Sequence, residues 1–177
     1  MKLKQRVTSV NIGSLREVPF GGRTVTTGFF KHPVEHPVVI GVLGLEGDAQ
    51  ADHSVHGGLE KAVYLYPREH YPNWQAMLQS DLEHGSFGEN ITTDGLLEDQ
   101  LFIGDVIRFG NAILQVIQPR SPCYKLQVRF GRQDMLALFL REGRPGWYAS
   151  VLHEGTVGVH DQIELVERTQ DLSLIHI

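Results

Sequence analysis

The sequence predicts a mainly β domain, a closed or half-closed barrel with a few short helices. Three observations point there. Apolar runs are short, rich in β-branched and aromatic residues, and separated by turn residues. Gly110-Asn111 sits between two such runs and suits a type II′ hairpin turn, so residues 105–118 read as a hairpin. Only two stretches carry a helical pattern.

Taken in order, Val7 to Ile12, Thr24 to Phe30, Val38 to Leu43 and Ala62 to Tyr66 read as strands, and Ile163 to Val166 as the closing strand. Apolar residues of the 105–118 hairpin fall on both faces, as expected for a strand pair buried on both sides. Arg68 to Leu78 follows Pro67 and reads as a helix whose start Pro72 weakens. The second helix runs from about Gln133 to Arg141, with Met135, Leu136, Phe139 and Leu140 at helical spacing and Gly143 as its stop. One domain is expected over residues 7–166, with no repeat, linker or low-complexity tract.

The 177 residues suffice for a core without staples, since a domain of about 150 residues hides close to 70% of its unfolded surface. With 41% hydrophobic and 21% charged residues, global disorder is excluded. The net charge of −5, with no basic stripe, argues against a nucleic-acid binder. One cysteine rules out an intramolecular disulfide. No signal peptide is visible, and no run approaches the roughly 20 apolar residues of a membrane span. The expectation is a cytoplasmic protein that engages neither membrane nor nucleic acid.

Three segments carry chemistry. The first is the polar, glycine-rich loop from Gly44 to Gly58. Asp48, Asp52, His53 and His56 are capable ligands for a divalent metal, the loop suits contact with another ligand, and it also reads as a plain solvated loop. The second runs from Gly85 to Gly95. Its glycines admit close backbone approach and its amides suit an anion, or it is a turn into an edge strand. The third is Gln118-Pro119-Arg120-Ser121-Pro122-Cys123-Tyr124-Lys125-Leu126. Arg120 and Lys125 place positive charge around the thiol, a setting that favours the nucleophilic, metal-ligating thiolate. A buried inert cysteine usually sits in an apolar strand or helix instead.

These segments in this order resemble the MOSC domain, named for the C-terminal domain of molybdenum-cofactor sulfurase. The likeness covers about Val7 to Leu165. Its telling pieces are Gly47-Asp48-Ala49-Gln50-Ala51-Asp52, His56-Gly57-Gly58, Lys61-Ala62-Val63, Phe87-Gly88-Glu89-Asn90, Ile103-Gly104-Asp105 and Pro119-Arg120-Ser121-Pro122-Cys123. It is closest to the bacterial branch linked to hydroxylaminopurine resistance, which is related to the mitochondrial amidoxime-reducing component. The resemblance implies a barrel-like fold and a bound molybdenum–pterin cofactor, with Cys123 as the protein ligand to molybdenum. It implies an oxidoreductase that takes electrons from a donor protein and reduces small N-hydroxylated compounds such as N-hydroxylated purines. Arg120, Lys125, Asp48, Gly57, Gly88, Glu89 and Asn90 are the residues expected to hold the cofactor, with His53 and His56 as proton donors. The alternatives are a sulfur carrier or transferase using a Cys123 persulfide, and a non-catalytic cofactor-binding barrel.

Two positions depart from the family pattern. His160-Asp161 stands where relatives usually read Gly-Asp, and Ser150 where an arginine is expected after Tyr148-Ala149. Residues 167–177 read as a tail. From about residue 172, Leu-Ser-Leu-Ile-His-Ile resembles a translated sequencing adapter, so the natural chain is expected to continue into a helical extension.

Overall fold

The computed structural model describes residues 5–49 and 58–168. Six strands come first: β1 (Arg6–Ile12), β2 (Arg16–Phe20), β3 (Arg23–Thr27), β4 (His32–Val34), β5 (Val38–Gly41) and β6 (Gly44–Leu45). β7 (Val63–Pro67) leads into helix α1 (Tyr71–Leu78), and β8 (Ile91–Asp94) follows. Next are β9 (Val106–Phe109), β10 (Ala112–Pro119), α2 (Lys125–Phe130) and α3 (Met135–Glu142). β11 (Trp147–His153), β12 (Gly155–Val157) and β13 (Ile163–Glu167) complete the set. The fold is mainly β with few short helices, as the sequence predicts.

Eight strands form one mixed sheet in the order β13-β9-β10-β11-β7-β8-β1-β4. All its pairs are antiparallel except β7 with β8. Strands β12, β5 and β6 make a smaller sheet, and β2 with β3 a separate hairpin. The closed barrel is the part of the expectation that fails. Its would-be seam is a single bridge, Arg6 to Gln162, with Val7 N donating to Asp161 O and His160 N to Val7 O, each at 2.9 Å. Ile163 N adds one bond to Gln5 O at 2.9 Å; beyond it β13 pairs only with β9 and leaves every residue exposed. A strand with one buried side chain is an edge rather than a stave in a wall.

The 105–118 hairpin is present, with Phe109 opposite Ala112 across Gly110-Asn111. Gly110 takes φ 56°, while Asn111 is not among the positive-φ residues, which fits a type II′ turn. The two expected helices also form. Arg68–His70 is a 3₁₀ turn that runs into α1, where Pro72 occupies the first turn and forfeits no helical hydrogen bond. α3 ends at Gly143 in the left-handed conformation. The sequence reading missed β2, β4, β6, β11, β12 and α2, and it offered β8 only as an edge strand, whereas β8 lies between β7 and β1.

Arg168, expected in the polar exit, is anchored. It donates to the buried Asp105 carboxylate at 3.0 and 2.7 Å and lies 4.1 Å from the Phe102 ring centroid. Among the described residues no helix is long and apolar enough to cross a membrane. The tail from residue 169 on lies outside the described residues.

Candidate functional site

A cleft opens where the C-terminal end of β10 passes into α2. Arg120 directly follows β10, and Cys123 and Lys125 stand at the head of α2; all three face the cleft. The register of β7 with β11 sets Tyr64 opposite Tyr148, with ring centroids 5.3 Å apart, as its wall. The segment before β8 contributes Gly88 and Asn90, and the β3–β4 connection contributes Phe29 and Lys31. Lys61 and Ala49 complete the rim. The cleft encloses about 530 Å³, open solvent at its mouth included.

Its charge is one-sided. Lys31, Lys61, Arg120 and Lys125 line it, and no described carboxylate does. In a chain of net charge −5, this concentration of cations is a specific feature. Arg120 is its centre. The side chain is 4% exposed, and Nη1 donates to Phe87 O at 2.6 Å. The guanidinium lies 4.5 Å from the Tyr64 centroid, 5.2 Å from Phe29 and 5.6 Å from Phe139. Nε is buried with no hydrogen-bond partner, and no described carboxylate pairs with Arg120. A buried cation without a counter-ion is costly and calls for an anion. Burial raises the Tyr64 and Tyr148 phenols above their ordinary range, against the opposing pull of Arg120. Both therefore stay protonated, and Tyr64 spends its proton on Pro145 O at 2.8 Å.

Cys123 is a free, half-buried thiol. Its carbonyl accepts Leu126 N at 3.1 Å, which starts α2 directly behind it. Gly88 is required to be glycine. Its φ is 80°, and a Cβ would stand 2.7 Å from the Phe29 ring.

Two expected cofactor residues have other partners. Asp48 accepts Lys31 Nζ at 2.5 Å on both oxygens, Gly13 N at 2.9 Å and Asn90 Nδ2 at 2.9 Å. It braces the cleft from behind, and burial holds the Lys31 ammonium below its ordinary pKa against the pull of Asp48. Glu89 is fully buried, accepting Gly85 N at 2.8 Å, Phe87 N at 3.1 Å, Thr92 Oγ1 at 2.9 Å and the Tyr71 hydroxyl. It fixes the turn that presents Gly88 instead of facing the cleft. His53, His56 and Gly57 lie outside the described residues, as does Asp52. Among the described residues no cluster of three His, Cys, Asp or Glu side chains could hold a metal ion by itself.

Structure thus brings Arg120, Cys123, Lys125, Gly88 and Asn90 together. Sequence reasoning missed Lys31, Phe29, Tyr64 and Tyr148. Tyr64 and Tyr148 lie on strands, and only the pairing of β7 with β11 reveals them as neighbours.

The MOSC domain profile matches residues 52–164, more than half of the chain. YflK of Bacillus subtilis, itself uncharacterised, is 42% identical over 162 residues, which span 92% of this chain and 73% of that one. A protein of Gibberella moniliformis named a reductase is 37% identical over 90% of this chain, yet the match spans only 29% of its own length. The crystal structure of YiiM from Geobacillus stearothermophilus superposes with a TM-score of 0.80 at 34% identity, covering 97% of this chain and 80% of that one. Profile, relatives and fold agree, and the chain belongs to the MOSC domain family.

Proposed function

We propose that this chain is a cytoplasmic molybdenum-cofactor-dependent oxidoreductase that reduces N-hydroxylated compounds, N-hydroxylated purines among them. The observation that carries the proposal is the buried Arg120 guanidinium, which no described carboxylate pairs, beside the free Cys123 thiol in a cleft lined by cations. Family membership and the reductase name of the fungal relative support the oxidoreductase class.

The residues present fit the group. A soft sulfur ligand suits molybdenum, and Cys123 supplies one. Arg120, with Nε unpartnered, suits the cofactor's phosphate, since a planar guanidinium meets phosphate oxygens in a fork. Lys61 and Lys125 add charge to the same wall. Gly88, lacking a Cβ, makes room for the Phe29 ring at the cleft wall. When bound, the cofactor supplies the two-electron redox change. The protonated Tyr148 hydroxyl orients anionic or polar atoms at the cleft wall, Tyr64 offers its ring to the Arg120 guanidinium, and the rings of Phe29 and Phe139 keep water from that guanidinium. Reduction of an N–O bond consumes two electrons and two protons and releases water, so a donor protein is required.

Elemental analysis tests the proposal on protein purified from a host that makes the cofactor. Near-stoichiometric molybdenum, lost in Cys123→Ser, is the expected result. Labile sulfur without metal would instead assign Cys123 a persulfide-carrier role, and neither would leave a binding domain without this chemistry.

A further inference from the structure

Beside the cleft lies a second concentration of positive charge that the cofactor reading does not use. Arg16 Cζ lies 4.0 Å from the centroid of the Phe30 ring, and Arg129 Cζ lies 5.0 Å from the same centroid. Arg23 Cζ lies 5.8 Å from the Tyr124 ring. None of these three arginines makes an ion pair among the described residues. Glu83, whose field reaches Arg129, is engaged by His32 Nδ1 at 3.0 Å, and His32 Nε2 meets Arg16 at 3.2 Å.

Arg129 has a buried Nε with no hydrogen-bond partner. Burial, then the charge of Arg16, press its guanidinium below the ordinary pKa. Two guanidinium groups gathered on one ring repel each other, and a buried donor left unmade is costly. An anion shared by both relieves each cost at once.

This rim is continuous with the cleft. Phe30 follows Phe29, and Tyr124 follows Cys123; Phe29 and Cys123 both line the cleft. Tyr124 is 36% exposed, with the Phe20 ring centroid 6.3 Å away, so an aromatic face is open to a flat ring. Charge to hold a phosphate and a ring on which to stack a base are thus both carried by residues next in the chain to, or in contact with, neighbours of the cleft lining.

We propose that the rim is a nucleotide-phosphate site, so the preferred substrates are nucleoside phosphates bearing an N-hydroxylated base rather than free bases. Arg16 and Arg129 hold the phosphate, and Tyr124 offers its face to the base or sugar. The substrate assignment rests on the reductase reading; the binding site itself does not.

The test titrates the full chain with adenosine 5′-monophosphate, adenosine and inorganic phosphate by calorimetry. The monophosphate binds at least tenfold more tightly than either of the others, and Arg16→Gln/Arg129→Gln brings it down to the level of adenosine. Arg16 is exposed, so Arg16→Gln alone keeps the fold and still loses at least threefold. Equal binding of nucleotide and nucleoside overturns the proposal. So does a preference for the nucleotide that both variants retain, which would seat the phosphate elsewhere. Inorganic phosphate binding as tightly as the nucleotide also overturns it, leaving an anion site with no role for the base. Molybdenum content, measured on the same samples, separates the two readings. Wild type without molybdenum sinks the reductase reading and leaves the titration standing, whereas normal molybdenum without nucleotide preference sinks the rim alone.

Discussion

The molecule has two hydrophobic clusters of different chemistry. One, shared by the large sheet and the smaller one, is mostly aliphatic, with Val7, Val10, Ile40, Leu65, Leu114 and Val116 among its members. The other, under the three helices, is mostly aromatic, with Tyr64, Tyr66, Tyr71, Trp74, Phe87 and Phe139. Aliphatic burial is non-directional and leaves no polar atom to satisfy. The aromatic cluster has polar tips that must find partners. Trp74 Nε1 donates to Tyr66 at 2.8 Å, Tyr71 donates to Glu89, and Tyr64 donates to Pro145 O at 2.8 Å. This cluster also supplies rings to the Arg120 guanidinium. One half of the fold therefore holds the sheet, and the other holds a charge where a charge is costly.

Four measurements break or sharpen that division. The largest effect is expected outside both clusters. Cys123→Ser should lower reductase activity by at least ~100-fold, since even partners outside the ligand shell of a metal commonly matter 10- to 100-fold. Its melting temperature should match that of wild type stripped of cofactor, because the thiol supports neither cluster. Retained activity would remove Cys123 from the chemistry.

Next come paired core substitutions. Leu114→Ala should cost about 3 kcal/mol in urea unfolding while leaving molybdenum per folded molecule unchanged. Phe139→Leu should cost only about 1 kcal/mol by packing but remove a ring from Arg120, so cofactor retention should fall several-fold. If Leu114→Ala lowers cofactor content as much as Phe139→Leu does, the division of labour is wrong.

A smaller effect is expected in acid. Burial would raise the Glu98 carboxyl, but its contacts with His70 and the Gly146 amide outweigh this and hold it below its ordinary value of 4.5. A depressed carboxylate contributes stability that is present above the unfolded pKa and lost as pH falls through the folded one. The stability gap between wild type and Glu98→Gln should thus be constant above pH 4.5 and shrink below it. A gap that does not change with pH would assign Glu98 a purely steric role.

The smallest is His160→Gly. His160 holds φ 74°, a left-handed conformation in which a side chain is strained. This explains why glycine suits the position. Relief of strain less the added freedom of the unfolded chain should stabilise by at most about 1 kcal/mol, read from thermal melts. Destabilisation would mean that the imidazole makes a contact worth more than the strain.

The sequence makes legible what local chemistry determines. Gly110-Asn111 selects its turn, the spacing of Met135 and Phe139 sets α3, and Pro119-Arg120-Ser121-Pro122-Cys123 announces a thiol among cations. It cannot disclose what pairing creates. Asp48 and Glu89 stand in segments that read as ligand contacts, yet buried carboxylates must be satisfied, and nearby amides and Lys31 take up their oxygens. Lys31 has no motif around it and enters the cleft only because β3 and β4 bring it there. α2 has six residues and starts beside a proline loop, too short for periodicity to show. β11, which alternates buried and half-buried residues from Trp147 to Ser150, carried a legible signal.

The bridge between Arg6 and Gln162 has a consequence for the timing of synthesis. β1 precedes all of its partners in the chain, and β4, β8 and residues 160–163 follow it at increasing separation. Its Val7 amide and carbonyl have no backbone partner until Asp161 and His160 arrive. Contacts of such sequence separation form late and fold slowly. The wall of the cleft shares this delay, because Tyr148 reaches Tyr64 only when β11 docks on β7. A nascent chain can therefore pair β1 with β4 and then β8, but the Val7 backbone groups stay open until residues 160–161 arrive. The cleft is therefore complete only when nearly the whole domain has been made.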